Sequence, residues 1–239
     1  MPFLTARWES LLLLNYACPT ELLAPLVPAG TELDLWQGEA LVSVVGFLFR
    51  DTRLLGVPVP FHRHFEEVNL RFYVRREEDG EVRRAVTFVR EIVPRRAIAA
   101  VARLAYNEPY VAAPMDHAVD LGAEAGGSVA YGWRHGGERF LLSASATGPA
   151  AFAEPDSEAR FITEHYWGYT RQRDGGTVAY RVEHSSWRLW EAEDASFTGD
   201  ATGLYGPAFA EVVAGPPRSA FLAVGSEVSV WPGRRIDLG

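Results

Sequence analysis

Twenty-three positions of this chain carry Lys or Arg, and every one is an arginine. A Schiff base needs an unprotonated primary amine, which no side chain here supplies, so lysine-based covalent catalysis is excluded. Arginine stays charged near neutral pH; it can hold an anion but makes a poor base or nucleophile. Where arginines meet carboxylates therefore decides what chemistry is open. Arg90 and Glu91 interrupt the apolar run Val82 to Val93. Charges in such a run need partners. With a four-residue turn in the preceding hairpin, Arg76 faces Glu81 and Glu67 stands opposite Arg90; a five-residue turn puts Glu66 there instead. Either register makes a cross-strand carboxylate–guanidinium pair, as a structural ion pair or as part of a site. Asn69 shares the face of Glu67.

Arg95 and Arg96 follow Pro94 at the start of a predicted helix. Free backbone N–H groups there, beside two guanidiniums, would make an anion pocket; solvated surface arginines are the plainer alternative. A second cluster gathers His165, Tyr166, Trp167, Tyr169, His184 and Trp187 on another predicted hairpin. A two-residue turn sets His165 opposite His184, and a three-residue turn sets Tyr166 there. The pair with Glu164 or Glu183 would satisfy a two-His-one-carboxylate pattern, but nothing fixes the three on one face, so no metal is expected. The aromatics more readily line a core or pocket. His62 and His64 are weaker candidates in a loop. No phosphate-binding glycine loop, dinucleotide fingerprint or nucleophile elbow is present, and Cys18 has no positioned histidine, so no cofactor is expected.

The elements that must position these groups are mostly strands. Leu11 to Tyr16 reads as a strand, Thr20 to Leu26 as a short helix capped by Thr20, and Thr31 to Trp36 with Ala40 to Phe49 as a hairpin around Gln37-Gly38. A loop is expected over Arg50 to His64. Val68 to Val74 alternates: Val68, Leu70, Phe72 and Val74 on one face, Glu67, Asn69, Arg71 and Tyr73 on the other. Glu77 to Gly80 turns into Val82 to Val93, which reads as a strand covered on both faces. A helix follows over Arg95 to about Tyr106. Strands are predicted over Gly127 to His135, Arg139 to Ser145, Tyr166 to Arg173, Thr177 to His184, Phe221 to Val224 and Val228 to Trp231, with a short helix near Ser157 to Thr163.

The 239 residues, 48% hydrophobic and 23% charged, suit one β-dominated globular domain over 1–239. A net charge of −8 argues against a nucleic-acid partner. The longest apolar stretch, Ala40 to Phe49, is too short for a membrane helix, and a single cysteine points to the cytoplasm.

Three segments carry a resemblance: Glu67-Val68-Asn69-Leu70-Arg71, Arg90 through Ala97, and His165-Tyr166-Trp167-Gly168-Tyr169-Thr170, with Glu183-His184-Ser185-Ser186-Trp187 in the same pattern. Over nearly the whole chain the sequence resembles the YqjF-like proteins, domain of unknown function 2071, in the acetoacetate decarboxylase-like superfamily. The resemblance implies an α+β fold: a curved antiparallel sheet closing into a barrel or cone, with a few outer helices. In acetoacetate decarboxylase an Arg-Glu-Glu motif precedes Pro-Lys-Lys, whose first lysine forms the Schiff base. Arg90-Glu91 matches the start of that motif, and Arg95 and Arg96 stand where the two lysines would be. Glu67 is similar to a pocket carboxylate. What the resemblance leaves is a pocket without amine chemistry.

The expected function is binding of a small carboxylate or other oxyanion in an arginine-lined pocket. In it Glu67, Arg90 and Glu91 are the candidate catalytic or shaping residues, and Arg95, Arg96, Asn69, His165, Trp167, Tyr169 and His184 the candidate ligand-binding residues. Two alternatives stand beside it: a non-covalent lyase or isomerase using Glu or His as general base, and a partner-binding module presenting the aromatics of the second hairpin. A homo-oligomer is compatible with all three.

Overall fold

The structure, a computed structural model, describes residues 1–60, 62–94, 107 and 109–237. The helix expected over 95–106, and with it Arg95 and Arg96, lies outside the described residues.

Seven strands close a barrel: β1 (Leu4–Ala17), β2 (Leu41–Leu54), β3 (Phe65–Glu78), β4 (Glu81–Val93), β5 (Trp167–Arg171), β6 (Thr177–His184) and β7 (Ser219–Val230). Their order is β7-β1-β2-β3-β4-β5-β6, with β6 returning to β7. Neighbours are antiparallel except β4 and β5, which run parallel. The β5–β6 hairpin is inserted by two short joints: Trp167 and Gly168 pair with Ala85 and Val86, and Val182, Glu183 and His184 pair with Val230, Ser229 and Val228.

A second antiparallel sheet, Met115–Gly122, Gly126–His135, Glu138–Thr147 and Glu193–Thr198, covers the outside together with the helices Thr202–Tyr205 and Pro207–Ala214. The four leucines of β1 show why both faces must be apolar. Leu11 and Leu13 pack into the barrel, Leu12 and Leu14 against the outer cover, and all four are buried. Contact between the layers is close. A methyl group on Gly46 of β2 would lie 2.6 Å from Tyr131 Cδ2 of the outer sheet, so the position is restricted to glycine unless Tyr131 moves.

The alternation expected of β3 is present. Val68, Leu70, Phe72 and Val74 face the outer cover, while Glu67, Asn69, Arg71 and Tyr73 face inward. The turn after β3 is tighter than either register considered. Glu78 pairs with Glu81 around Asp79-Gly80, whose φ values of 55° and 78° suit a two-residue hairpin turn. The short helix expected near Ser157 to Thr163 is present as Glu158–Thr163, capped by Ser157 Oγ, which accepts from the Arg160 N–H at 3.2 Å. It plugs one end of the barrel, with Phe161 against Tyr73 and Trp36 at ring-centroid distances of 5.4 Å each.

Several boundaries differ for identifiable reasons. The helix at Thr20–Leu23 is preceded by Pro19 and lacks a side-chain cap, so Thr20 is its first residue rather than its cap. The hairpin around Gln37-Gly38 reduces to a single Trp36–Glu39 bridge, because Glu32–Leu33 pairs with β3 instead. Part of the expected loop over 50–64 continues as strand, since β2 runs to Leu54. The two expected closing strands are one, β7, bent at Gly225, whose φ of 92° lets it approach the Trp8 carbonyl. Met115–Gly122 is not among the expected strands: Met115, Val119 and Leu121 pack partly buried against the core, but exposed His117 interrupts that face. Among the described residues no helix is long and apolar enough to cross a membrane.

Candidate functional site

The barrel encloses a cavity of about 270 Å³ to which all seven strands contribute. Most of its wall is apolar and aromatic, including Trp8, Phe47, Phe88, Trp167, Tyr180 and Trp187. Ile162 and Thr163 of the plugging helix close it at one end, and Val59 and His62 contribute from the loop between β2 and β3. Its polar groups are few, which makes their placement informative.

Three come from β3, two residues apart each time: Glu67, Asn69 and Arg71. Another, Glu91, arrives through a β-bulge in β4. Arg71 pairs with Phe88 but Leu70 pairs with Arg90, so Val89 is an extra residue on that strand. A bulge shifts the inward–outward parity of everything beyond it. Val86 and Phe88 face the cavity before the bulge and Glu91 faces it after. Arg90 is turned out of the barrel, where its Nε donates to the Leu204 carbonyl at 3.2 Å. An unbroken two-residue hairpin would have done the reverse, with the guanidinium inside and the carboxylate outside. The expected pair of Arg90 with Glu67 or Glu66 is therefore not formed: Arg90 stands opposite Leu70, and Glu91 opposite Asn69.

Hydrogen bonds order the carboxylate side of the cavity. Asn69 Nδ2 donates to Glu67 Oε1 at 3.2 Å, and the Tyr110 hydroxyl donates to Glu67 Oε2 at 3.3 Å. Tyr110 is brought there by the short parallel strand Tyr110–Ala112, which pairs with β4 beside Glu91. Glu67, Asn69 and Glu91 are all at least 97% buried.

Arg71 marks a different environment. It is 9% exposed, its Nη2 donates to the Ile162 carbonyl at 3.3 Å, and its Nε has no partner. Its guanidinium carbon stands 5.6 Å from the centre of the Tyr73 ring. Among the described residues it forms no ion pair, an unusual condition for a buried guanidinium.

His165 packs against the same Tyr73 ring, 4.7 Å between centroids. Its Nε2 is 3.1 Å from Asp34 Oδ2, and that carboxylate also accepts from Arg84 Nε at 2.7 Å. Burial alone would raise the Asp34 pKa, but the bonds from His165 and Arg84 outweigh it and hold the group below its usual value. Burial pushes the His165 pKa down to about 4, against the opposing pull of Asp34. An ionised Asp34 and a neutral imidazole fix the tautomer: Nε2 carries the proton and donates, and Nδ1 keeps its lone pair. That Nδ1 is buried and has no partner.

The remaining expected residues divide. Trp167 and His184 line the cavity, His184 stacked on Trp187 at 4.3 Å and donating from Nδ1 to the Ser185 carbonyl at 3.0 Å. Burial lowers its pKa too. Tyr169, two residues on, packs in the outer core and is absent from the cavity wall. In the β5–β6 hairpin, Trp167 faces Arg181 across a five-residue connection, so neither expected register holds, although both histidines reach the cavity. Trp187 is buried and Trp167 half-buried, so this hairpin lacks the outward aromatic surface that a docking module would need. Arg95 and Arg96 lie outside the described residues.

Sequence reasoning places Arg71 on the inward face yet singles out other arginines, although its two-residue spacing from Asn69 was a sufficient signal. Asp34 and Tyr110 gave none, being 131 and 43 residues from the groups they hold.

Comparison with known proteins agrees with this architecture. The acetoacetate decarboxylase of Legionella pneumophila is similar at a TM-score of 0.68 and 13% identity, over 99% of this chain and 88% of that one. An acetoacetate decarboxylase-like enzyme of Sphingomonas wittichii RW1 gives 0.66 at 15% identity, over 99% and 94%. The enduracididine biosynthesis enzyme MppR complexed with pyruvate gives 0.67 at 16%, over 99% and 91%. At these identities the likeness is one of fold. In sequence, the uncharacterized protein YqjF of Bacillus subtilis (strain 168) is 28% identical over 204 residues, 83% of this chain and 80% of that protein. Residues 5–227 match the family model DUF2071, described as an uncharacterized conserved protein, and the chain belongs to that family.

Proposed function

We propose that the barrel cavity binds a small organic anion, a carboxylate or similar oxyanion, with its charged group on Arg71 and its apolar body against Trp8, Trp167 and Tyr180. The observation that carries this reading is the buried guanidinium of Arg71, which has a free Nε and no ion-pair partner among the described residues. Burying a cation without a counter-charge is costly, and a ligand carboxylate supplies one in bidentate geometry. Arg95 and Arg96 are proposed as companion cations. The carboxylates Glu67 and Glu91, beyond Asn69 in the same cavity, exclude ligands carrying a second negative charge on that side.

A thermal-shift screen of monocarboxylates tests the reading. Wild type should be stabilised by its best hit in proportion to RT ln(1 + [L]/Kd), Arg71→Leu should lose that stabilisation, and Arg90→Leu, altered on the outer face, should keep it. Retained affinity in Arg71→Leu would remove the guanidinium from the site.

A second reading, non-covalent lyase or isomerase chemistry, is favoured by one observation. Glu67 is held by two donors within a largely apolar cavity, an arrangement suited to accepting a proton from a bound ligand. Solvent-deuterium exchange into a bound carboxylic acid, lost in Glu67→Gln, supports it; no exchange into any ligand that binds leaves binding alone.

A further inference from the structure

Around the Tyr73 ring the cavity wall holds an arrangement more specific than a cation. Arg71 and His165 both pack against that ring, at 5.6 and 4.7 Å from its centre, and both line the cavity. Arg71 offers an unused donor, Nε. Two unused acceptors are also buried in this wall: Nδ1 of His165, and Oδ1 of Asn69, two residues from Arg71 on the same face. Neither can turn its acceptor away at no cost. The His165 ring is anchored through Nε2 to Asp34, itself tied to Arg84, and the Asn69 amide is anchored through Nδ2 to Glu67. Both anchors use the donor end of the side chain, so the acceptor end is what remains for a ligand. A buried acceptor left unmet costs about as much as a lost hydrogen bond.

We infer that the ligand is a carboxylic acid that also carries a hydrogen-bond donor next to its carboxylate, a hydroxy acid or an amino acid rather than an oxo acid. The inference rests on the reading of Arg71 as the carboxylate site and adds what stands beside the carboxylate. A 2-oxo group presents only acceptors, so it leaves Nδ1 of His165 and Oδ1 of Asn69 unmet. A 2-hydroxyl donates one proton to either and can accept from Arg71. A 2-ammonium donates more, and Glu67 and Glu91 stand in the same cavity to balance its charge.

Three probes with one carbon skeleton separate these cases: phenylpyruvate, 3-phenyllactate and phenylalanine, titrated by calorimetry into the full-length protein. Phenyllactate or phenylalanine should bind at least about tenfold more tightly than phenylpyruvate, the equivalent of one well-placed hydrogen bond. Which of the two binds tighter tells hydroxyl from ammonium. His165→Phe, which keeps a ring against Tyr73 and removes the acceptor, should bring the donor-bearing probe down to the affinity of phenylpyruvate. Asn69→Leu, which leaves the Asp34 network intact, should narrow the gap if His165→Phe does not fold. Equal affinities for all three probes in wild type, each lost in Arg71→Leu, would overturn this inference and leave the anion reading standing. Binding of all three that is indifferent to Arg71→Leu, or binding of none, would overturn both.

Discussion

The two faces of β3 are built to opposite standards. Outward, Val68, Leu70, Phe72 and Val74 are fully buried under a second sheet, with no polar atom among their side chains. Inward, Glu67, Asn69 and Arg71 are nearly as well buried but retain polar groups that the described residues only partly meet. A core that needed only stability would not carry the inward set, because apolar replacements of similar volume are often as stable or more so. The outer face holds the barrel in shape, and in the proposed function the inner face gives up part of that stability to hold a ligand.

The strongest way to break the contrast is to remove packing from the outer side. Trp133 is fully buried and stacked on Phe140 at 5.2 Å; Trp133→Ala should cost about 3–5 kcal/mol by chemical denaturation. If the protein still folds, its ligand affinity should be unchanged. Acid tests the inner side next. An unfolded His165 titrates near 6.5 and the folded one near 4, so between those values only the unfolded state takes up the proton. Stability should therefore fall as pH drops from about 6.5 to about 4, by on the order of 3 kcal/mol, and His165→Phe should flatten most of that slope. The depressed His184 pKa acts in the same direction, while Asp34, whose pKa is also lowered, adds its loss at still lower pH. A smaller effect comes from Gly46→Ala, which pushes a methyl against Tyr131 and should cost about 1–3 kcal/mol, again without touching the ligand. The smallest belongs to Arg71→Leu. Its stability should lie within about 1 kcal/mol of wild type, or above it, while ligand binding is lost; a severe destabilisation would mean that the guanidinium is structural.

How much was legible follows from which features leave a trace in local pattern. The barrel strands β1 to β4 and the inward set of β3 are written in alternation and in runs covered on both faces. The resemblance supplied closure, which no local pattern encodes. The bulge at Val89 left no trace, because valine is an ordinary strand residue and a parity change is a backbone event. It reversed the expected roles of Arg90 and Glu91, and it did so one residue from where a hairpin count would have placed them. Asp34 was missed for a different reason: its value lies in partners at Arg84 and His165, distant in the chain and brought together only by the closed sheet.

The β5–β6 hairpin is joined to β4 by two residue pairs and to β7 by three, with two more to the short strand Arg234–Arg235 and Thr87 Oγ1 donating to the Tyr169 carbonyl. Such a stave can lift before the rest of the cask, since local opening costs less where fewer backbone bonds must break. It also bears Tyr180, Val182 and His184 on its cavity side. Amide hydrogens along its margins should exchange faster than those between β1 and β2. A guest too large for the rim would then pass through the hinged panel it is afterwards held by.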